Sequence, residues 1–543
     1  VSHSPSPAHA RLAATIAVCL AGALTACSSS AGTPAGDTPT AGGTLTFATN
    51  QEPDCLDPAV SARDITALVD RNVFDSLVRQ GVDGKIQPWL AEKWETTPDG
   101  VSYTFHLRQG VRFHDGTALD AAAVKATFDH AVDPKTKSKY AAGLISAYKG
   151  ADVTDASTIV VKLAKPSAPF LQALSTPYLG IQSPKSLADN ATGLCEQPVG
   201  SGPFKFGKWD KKVGIDLTKN PDYNWGPATA KHAGAARLDA LTIKFIPEDT
   251  VRVGALTSGQ VDVVSNVPPS KAKSLEPAAT LLKAEAPGAP YTVYLNSAPG
   301  NILADENVRK ALQRVADLDQ LVQTVYFGQY QRANGPLTPA TPLYAKTDPV
   351  GFNQAEANKL LDEAGWTQRD GDGFRTKDGK RLALRWPHTA DMERDQRGSI
   401  GQGIQAQAKQ VGIDIQYTTV DQGAIGQIIG KHEHDLFDVS FVRADADILR
   451  YFFGTESLLA KGGGNIFGIA QPELDKLLVD GAASIDDAAR GKIYADAQRY
   501  VVEHAIALPV YVPTNLVGAS TKAHGIEFDP HAYPLFYDAW TSK

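Results

Sequence analysis

The chain has 543 residues, of which 43% are hydrophobic, 21% charged and 8% aromatic. That composition excludes a disordered or collagen-like polymer, and the length favours two or more lobes over one core. A formal charge of −7 with no long basic run argues against nucleic acid as the main partner.

Arg11 is the only Lys, Arg, Asp or Glu before Asp37, and it precedes an apolar run from Leu12 to Leu24. Such a run rises about 20 Å as a helix, short of a bilayer core of roughly 30 Å. It reads as the apolar part of a secretory signal. The run ends Leu24-Thr25-Ala26-Cys27, small residues followed by a thiol that can carry lipid, and this resembles a bacterial lipobox. A plain signal peptide with an incidental cysteine is the alternative. Residues 1–26 are therefore expected to be a lipoprotein signal peptide, with Cys27 the lipid attachment point. Residues 27–43, almost wholly Ser, Ala, Gly, Thr and Pro, read as a flexible tether. Cys19 leaves with the signal and Cys27 takes lipid, so Cys55 and Cys195 remain as an even pair in an oxidising compartment. A disulfide between them is expected, two buried thiols being the alternative.

From Thr44 to Ala48, and again from Tyr103 to Leu107, apolar and polar residues alternate as in strands. Ala121 to Ala131 reads as a helix with Val124 and Phe128 on its inner stripe. Thr158 to Leu163, Leu241 to Ile246 and Tyr291 to Leu295 read as strands. Asp305 is an N-cap for one long helix reaching Leu321, and Gln354 to Ala364 is a helix stopped by Gly365. A short strand ends at Arg385, followed by the helix Gln396 to Val411 and the strands Ile413 to Val420 and Leu436 to Val442. One or two helices fill Pro472 to His504 before a late strand from Leu508 to Val512. The pattern is mixed α/β, without the 20–50-residue repeat of a solenoid.

Several blocks then occur in a fixed order. They are Glu52-Pro53-Asp54-Cys55-Leu56-Asp57-Pro58, the stretch Leu90 to Thr117 with its Pro98-Asp99-Gly100 and His114-Asp115-Gly116 turns, and Val199-Gly200-Ser201-Gly202-Pro203-Phe204. Pro247 to Asp262, Asn307 to Leu312, Glu363 to Trp366 and Asn465 to Leu478 follow. In that order the blocks closely resemble the family 5 extracellular solute-binding proteins, the peptide, nickel and oligosaccharide receptors of ABC importers. The resemblance implies a two-lobed, hinged, periplasmic-binding-protein-like α/β fold with an extra domain inserted in the first lobe. The boundaries expected are 44–290 for the first lobe with its insert, 291–505 for the second lobe, and 506–543 for a return to the first. Asp99 and Asp115 read as turn formers, not as ligands for a solute.

Peptide receptors of this family commonly place Trp-x-x-Asp after a second-lobe strand. Here that region holds no Trp and reads Arg443-Ala444-Asp445-Ala446-Asp447. Asp445 and Asp447 are candidates for a ligand cation and Arg443 for a carboxylate or phosphate, the alternative being a turn whose charges neutralise one another. Trp386 and His388 follow a strand and are candidates for a cleft wall, with a core tryptophan equally compatible. His432 and His434 have a spacing that metals use on a strand, but no third ligand is near, so no metal is assigned. No nucleophilic motif stands out, and neither catalysis nor a cofactor is expected. The resemblance implies a monomeric, lipid-anchored receptor on the outer face of the cell membrane that hands a solute to an ABC permease. A short peptide is the first expectation for that solute. A metal chelate, an opine-like compound or an oligosaccharide comes next, and a secreted hydrolase is the alternative of a different class.

Overall fold

In the computed structural model, which describes residues 38–189, 193–276, 278–390, 393–461 and 463–542, the strand Thr44–Thr49 lies at the centre of a seven-stranded sheet. Leu45, Phe47 and Ala48 are fully buried, and the strand pairs in parallel with Ala240–Phe245 on one side and Val263–Val264 on the other. The sheet runs Ala279–Glu285, Thr514–Ser520, Val263–Val264, Thr44–Thr49, Ala240–Phe245, Gly214–Lys219, Phe204–Asp210. Its apolar residues pack with the helix Asp64–Val73 into the core of the first lobe. The signal, the lipobox with Cys27 and most of the tether lie outside the described residues.

Between two strands of that lobe the chain builds a separate antiparallel sheet from Ala91–Thr96, Ser102–Leu107, Thr158–Leu163 and Tyr148–Asp155. Tyr103, Phe105 and Leu107 alternate inward and share a core with Val124 and Phe128 of the helix Ala121–Val132. Asp120 caps that helix by accepting from the Ala123 amide at 3.0 Å. Asp99 and Asp115 accept from Val101 and Thr117 amides, at 3.3 and 3.0 Å, within their own turns. A disulfide joins Cys55 to Cys195 with Cα atoms 4.3 Å apart, tying the opening loop of the first lobe to the far end of the insert.

The second lobe is built on a sheet ordered Gln331–Arg332, Ala507–Val512, Gly288–Leu295, Leu436–Val442. Every residue of Gly288–Leu295 is buried, as befits a strand covered on both faces. Gly288 is required there: at φ +106° a Cβ would lie 2.3 Å from the Phe441 carbonyl oxygen. A parallel pair, Ala383–His388 and Asp414–Thr419, is bridged by the helix Arg397–Gln410.

Two expectations are corrected. The helix begun at Asp305 stops at Leu312, because Asp317 starts a new one, Leu318–Val325, by accepting from the Gln320 amide at 2.9 Å. The return to the first lobe does not begin at 506, because Ala507–Val512 pairs antiparallel with Gly288–Leu295 in the second-lobe sheet. The chain crosses at Pro513 and joins the first-lobe sheet at Thr514. The outward crossing, at Ala286, runs beside it: the Ala286 amide donates to the Pro513 carbonyl at 2.8 Å.

Candidate functional site

A cavity of about 460 Å³ opens beside the two crossing segments, with Ala286, Pro513 and Thr514 in its wall. The first lobe contributes Asp64 from the start of a helix, Glu248 and Asn266 from loops, and Asn515 from the strand after the crossing. The second lobe contributes Tyr330, Ser440, and the loop Glu393, Arg394, Asp395 and Gln396. That loop leads from the end of the strand Ala383–His388 into the helix Arg397–Gln410. Ligands of α/β sheets commonly bind at such carboxyl ends of strands. The cavity's size is that of a small-ligand site.

The second-lobe wall is held from behind. Arg397 is buried, donates from Nη2 to the Ser440 hydroxyl at 2.6 Å and lies over the Tyr291 ring at 4.7 Å. Burial works against its charge, but Tyr511 and Asp395 outweigh burial and raise its pKa. Tyr330 donates to Asp395 Oδ1 at 3.3 Å, and burial, with Asp395 adding to it, pushes the phenol well above its ordinary value. Glu393 accepts from the Gly398 amide at 3.0 Å, in the first turn of the helix behind it. Arg394 is different: it is exposed, and its hydrogen bond is to the Ser440 hydroxyl, at 3.2 Å. No carboxylate neutralises it among the described residues.

Across the cavity, Asp64 accepts from the Tyr533 hydroxyl at 2.7 Å, while Asp249 is engaged by Arg252 at 2.6 Å. The Glu248 carboxylate has no hydrogen bond or ion pair among the described residues. The charged lining is thus acidic on the first-lobe side, and on the second-lobe side Arg394 stands as a base between Glu393 and Asp395.

The candidates chosen from sequence lie elsewhere. Asp445 is buried and held by both Nη atoms of Arg490, at 3.0 and 2.6 Å. Asp447 accepts from Arg450 at 2.8 and 2.7 Å and from the Tyr494 hydroxyl at 3.0 Å. Burial would raise the Asp447 pKa, but the Arg450 hydrogen bond and charge, with help from Arg443 and Arg490, lower it. These two aspartates are corrected from ligand contacts to members of a neutralised internal network. Arg443 lies 3.4 Å from Asp447, and its buried Nε has no partner among the described residues. It lies near Tyr140 of the insert, whose ring packs on Phe441 at 5.6 Å, so it sits where the lobes meet.

Trp386 is also corrected. It is fully buried, donates from its indole nitrogen to Asp438 Oδ1 at 2.7 Å and packs edge-on to Tyr417. The strand does not end at Arg385 but continues through Pro387, which pairs with Thr418, and so carries Trp386 inward. His388 stacks on Tyr417 at 4.1 Å and is 3.0 Å from the Thr419 hydroxyl, away from the cavity wall. His434 is buried between Phe437 and Phe467, and burial, helped by the neighbouring His432, pushes its pKa down to about 4. Among the described residues no group of three His, Cys, Asp or Glu is placed to hold a metal. No described helix is long and apolar enough to cross a membrane.

Asp64, Glu248 and Arg394 were missed because none stands in a recognisable motif. The signal for Arg394 was positional: a charged stretch between a strand and the helix that returns to its parallel partner.

Residues 85–462 match the family of bacterial extracellular solute-binding proteins, family 5 middle. A glutathione-binding protein of Pectobacterium atrosepticum is 26% identical over 476 residues, 86% of this chain and 88% of that protein. Among solved structures, the periplasmic binding protein DppA from Helicobacter pylori, in complex with the peptide STSA, superposes with a TM-score of 0.76 at 25% identity. The match covers 93% of this chain and 99% of that one. NikA from Brucella suis, in complex with Fe(III)-EDTA, gives a TM-score of 0.82 at 25% identity, covering 92% and 100%. The family match spans most of the chain and the superpositions are of two-lobed binding proteins, so the chain belongs to the family 5 extracellular solute-binding proteins, the solute receptors of ABC importers.

Proposed function

We propose that the solute is a short peptide, bound in the cavity between the lobes and delivered to an ABC permease. The observation that carries the reading is Arg394, the base of a cavity whose other charged lining residues, Asp64, Glu248, Asp249, Glu393 and Asp395, are acids. A zwitterion with an α-ammonium at one end and a carboxylate at the other matches that arrangement, and engaging both lobes favours the closed state. The glutathione-binding relative and the peptide-bound DppA support it. An anionic chelate such as the one held by NikA is disfavoured, because Glu248, Asp64, Glu393 and Asp395 would repel it. Lipid attachment at Cys27, motivated by Leu24-Thr25-Ala26-Cys27, would keep a monomeric receptor close to its permease.

Mass spectrometry of ligand retained through native purification, followed by calorimetric titration with that peptide, tests the reading. Arg394→Ala and Asp64→Asn are each expected to weaken binding about 10-fold or more. Parental affinity in both variants, or retention of a solute without an ammonium group, refutes it. Cys27→Ala is expected to release the protein or block its processing.

A further inference from the structure

A second cavity, also of about 460 Å³, lies wholly outside the cleft just described. Its wall comes from the hairpin Val78–Gln80 and Ile86–Pro88, the segment around Tyr223 to Ala230, and the C-terminal stretch from Gly525 to Asp538. No residue lines both cavities. Trp89, Tyr223, Phe528, Leu535 and Tyr537 make most of this one apolar.

Into that apolar space the fold sets a cation. Arg79 lines the cavity and is only 7% exposed. Among the described residues its guanidinium makes no hydrogen bond, ion pair or ring contact. None of its nitrogens is sealed from solvent, so the guanidinium opens into the cavity, where a cation without a protein partner is placed to take an anion. Its neighbour Arg71 shows the contrast. Arg71 donates to the Ser76 hydroxyl at 3.0 Å and the Ser175 carbonyl at 2.6 Å, and its guanidinium lies over the Trp89 ring at 5.3 Å.

The three acids of the wall, Asp83, Glu527 and Asp538, are already engaged. Asp538 accepts from the Lys231 amide at 3.0 Å and lies 2.7 Å from His232 Nδ1, while Glu527 pairs with the Lys231 ammonium. Asp83 accepts from the Lys85 amide at 3.1 Å. Asp529, outside the cavity lining, is the carboxylate whose charge Arg79 feels most; its Oδ1 accepts from the His531 and Tyr533 amides, each at 2.9 Å, and its buried Oδ2 has no hydrogen bond but lies 3.7 Å from His531 Nδ1. Burial works against the charge on Arg79, with Asp529 opposing that effect, and the net shift of its pKa is downward. An incoming anion would restore what burial removes.

We propose that this first-lobe cavity is a second ligand site, for a small monoanion with an apolar body, an aromatic or branched carboxylate, whose carboxylate pairs with Arg79. The aromatic wall takes the apolar body and the guanidinium takes both carboxylate oxygens. The strand that carries Arg79 also touches the other lobe, since Gln80 donates to the Ala444 carbonyl at 2.9 Å. An occupant therefore rests against an element that meets the second lobe.

The test uses the full chain and 3-phenylpropionate as probe, by calorimetry and ligand-observed NMR. The parent is expected to bind it saturably at millimolar concentration or below. The neutral amide of the same acid is expected to bind at least about 10-fold more weakly, a comparison that needs no variant. Arg79→Gln should lose affinity by about the same factor, whereas Arg394→Ala should not change it, and the cleft peptide should not displace the probe. Absence of saturable binding, equal binding of acid and amide, or parental affinity in Arg79→Gln overturns the proposal and assigns Arg79 to the charge balance of Asp529. Displacement of the probe by the cleft peptide overturns it too, by placing the probe in the cleft.

Discussion

Two charged stretches of the second lobe each follow a strand. Asp445 and Asp447 come shortly after Leu436–Val442, and Arg394 and Asp395 after Ala383–His388. The first stretch is closed: both carboxylates are saturated by Arg490, Arg450 and Tyr494, all inside the lobe. The second is open: Asp395 is braced from behind by Tyr330, while Arg394 keeps its charge turned to the cavity with only a hydroxyl as partner. A charged residue marks a recognition surface when its partner is missing. When the partner is present, the same residue is architecture.

Breaking the closed stretch should give the largest effect. Asp447→Ala leaves Arg450 and Arg443 facing an empty buried position, and is expected to cost about 3–5 kcal/mol in urea unfolding. Peptide affinity of the fraction that stays folded should be unchanged. The folded Asp447 pKa is lowered, so its stabilisation is present above the unfolded value of 3.8 and is lost as pH falls through the lower folded value. The gap between parent and Asp447→Asn should therefore be full near neutrality and shrink in strong acid.

Next comes His434, at the foot of the strand that leads to the closed stretch. Its folded pKa is about 4 against an ordinary value of 6.5, so the unfolded chain binds more protons between those limits. Acidification through that window is expected to cost up to about 3 kcal/mol, and His434→Leu should flatten the pH dependence of the urea midpoint there. An unchanged slope would mean that another group carries it.

The open stretch should give the smallest effect on stability. Arg394→Ala is expected to move unfolding by no more than about 0.5 kcal/mol, although binding suffers. A loss as large as that of Asp447→Ala would erase the distinction between the two stretches.

Much of the fold was legible in the sequence because it is written in local terms. Alternation at Tyr103 to Leu107, the cap at Asp120 and the turns at Asp99 and Asp115 each act within a few residues, and the structure holds each of them. The site was less legible because it depends on distant partners. Arg490 stands 45 positions from Asp445, and no local pattern announces that pair. Trp386 was ambiguous for the same reason: its fate rests on Asp438, 52 positions away. The Asp305 helix erred in the other direction, since apolar spacing carried it past a second cap, Asp317, that could have been read.

The two crossings between the lobes run side by side, bonded from the Ala286 amide to the Pro513 carbonyl at 2.8 Å. Mechanically, a pair of adjacent strands behaves like a strip of ribbon. It bends readily across its flat face and resists shear in its plane. Gly288, two residues on from Ala286, is clamped by the Thr341 hydroxyl at 2.7 Å, so compliance is confined to a few bonds. One rotational degree of freedom then dominates, and a solute that fits at the rim should be carried to the same end position each time the jaws come together.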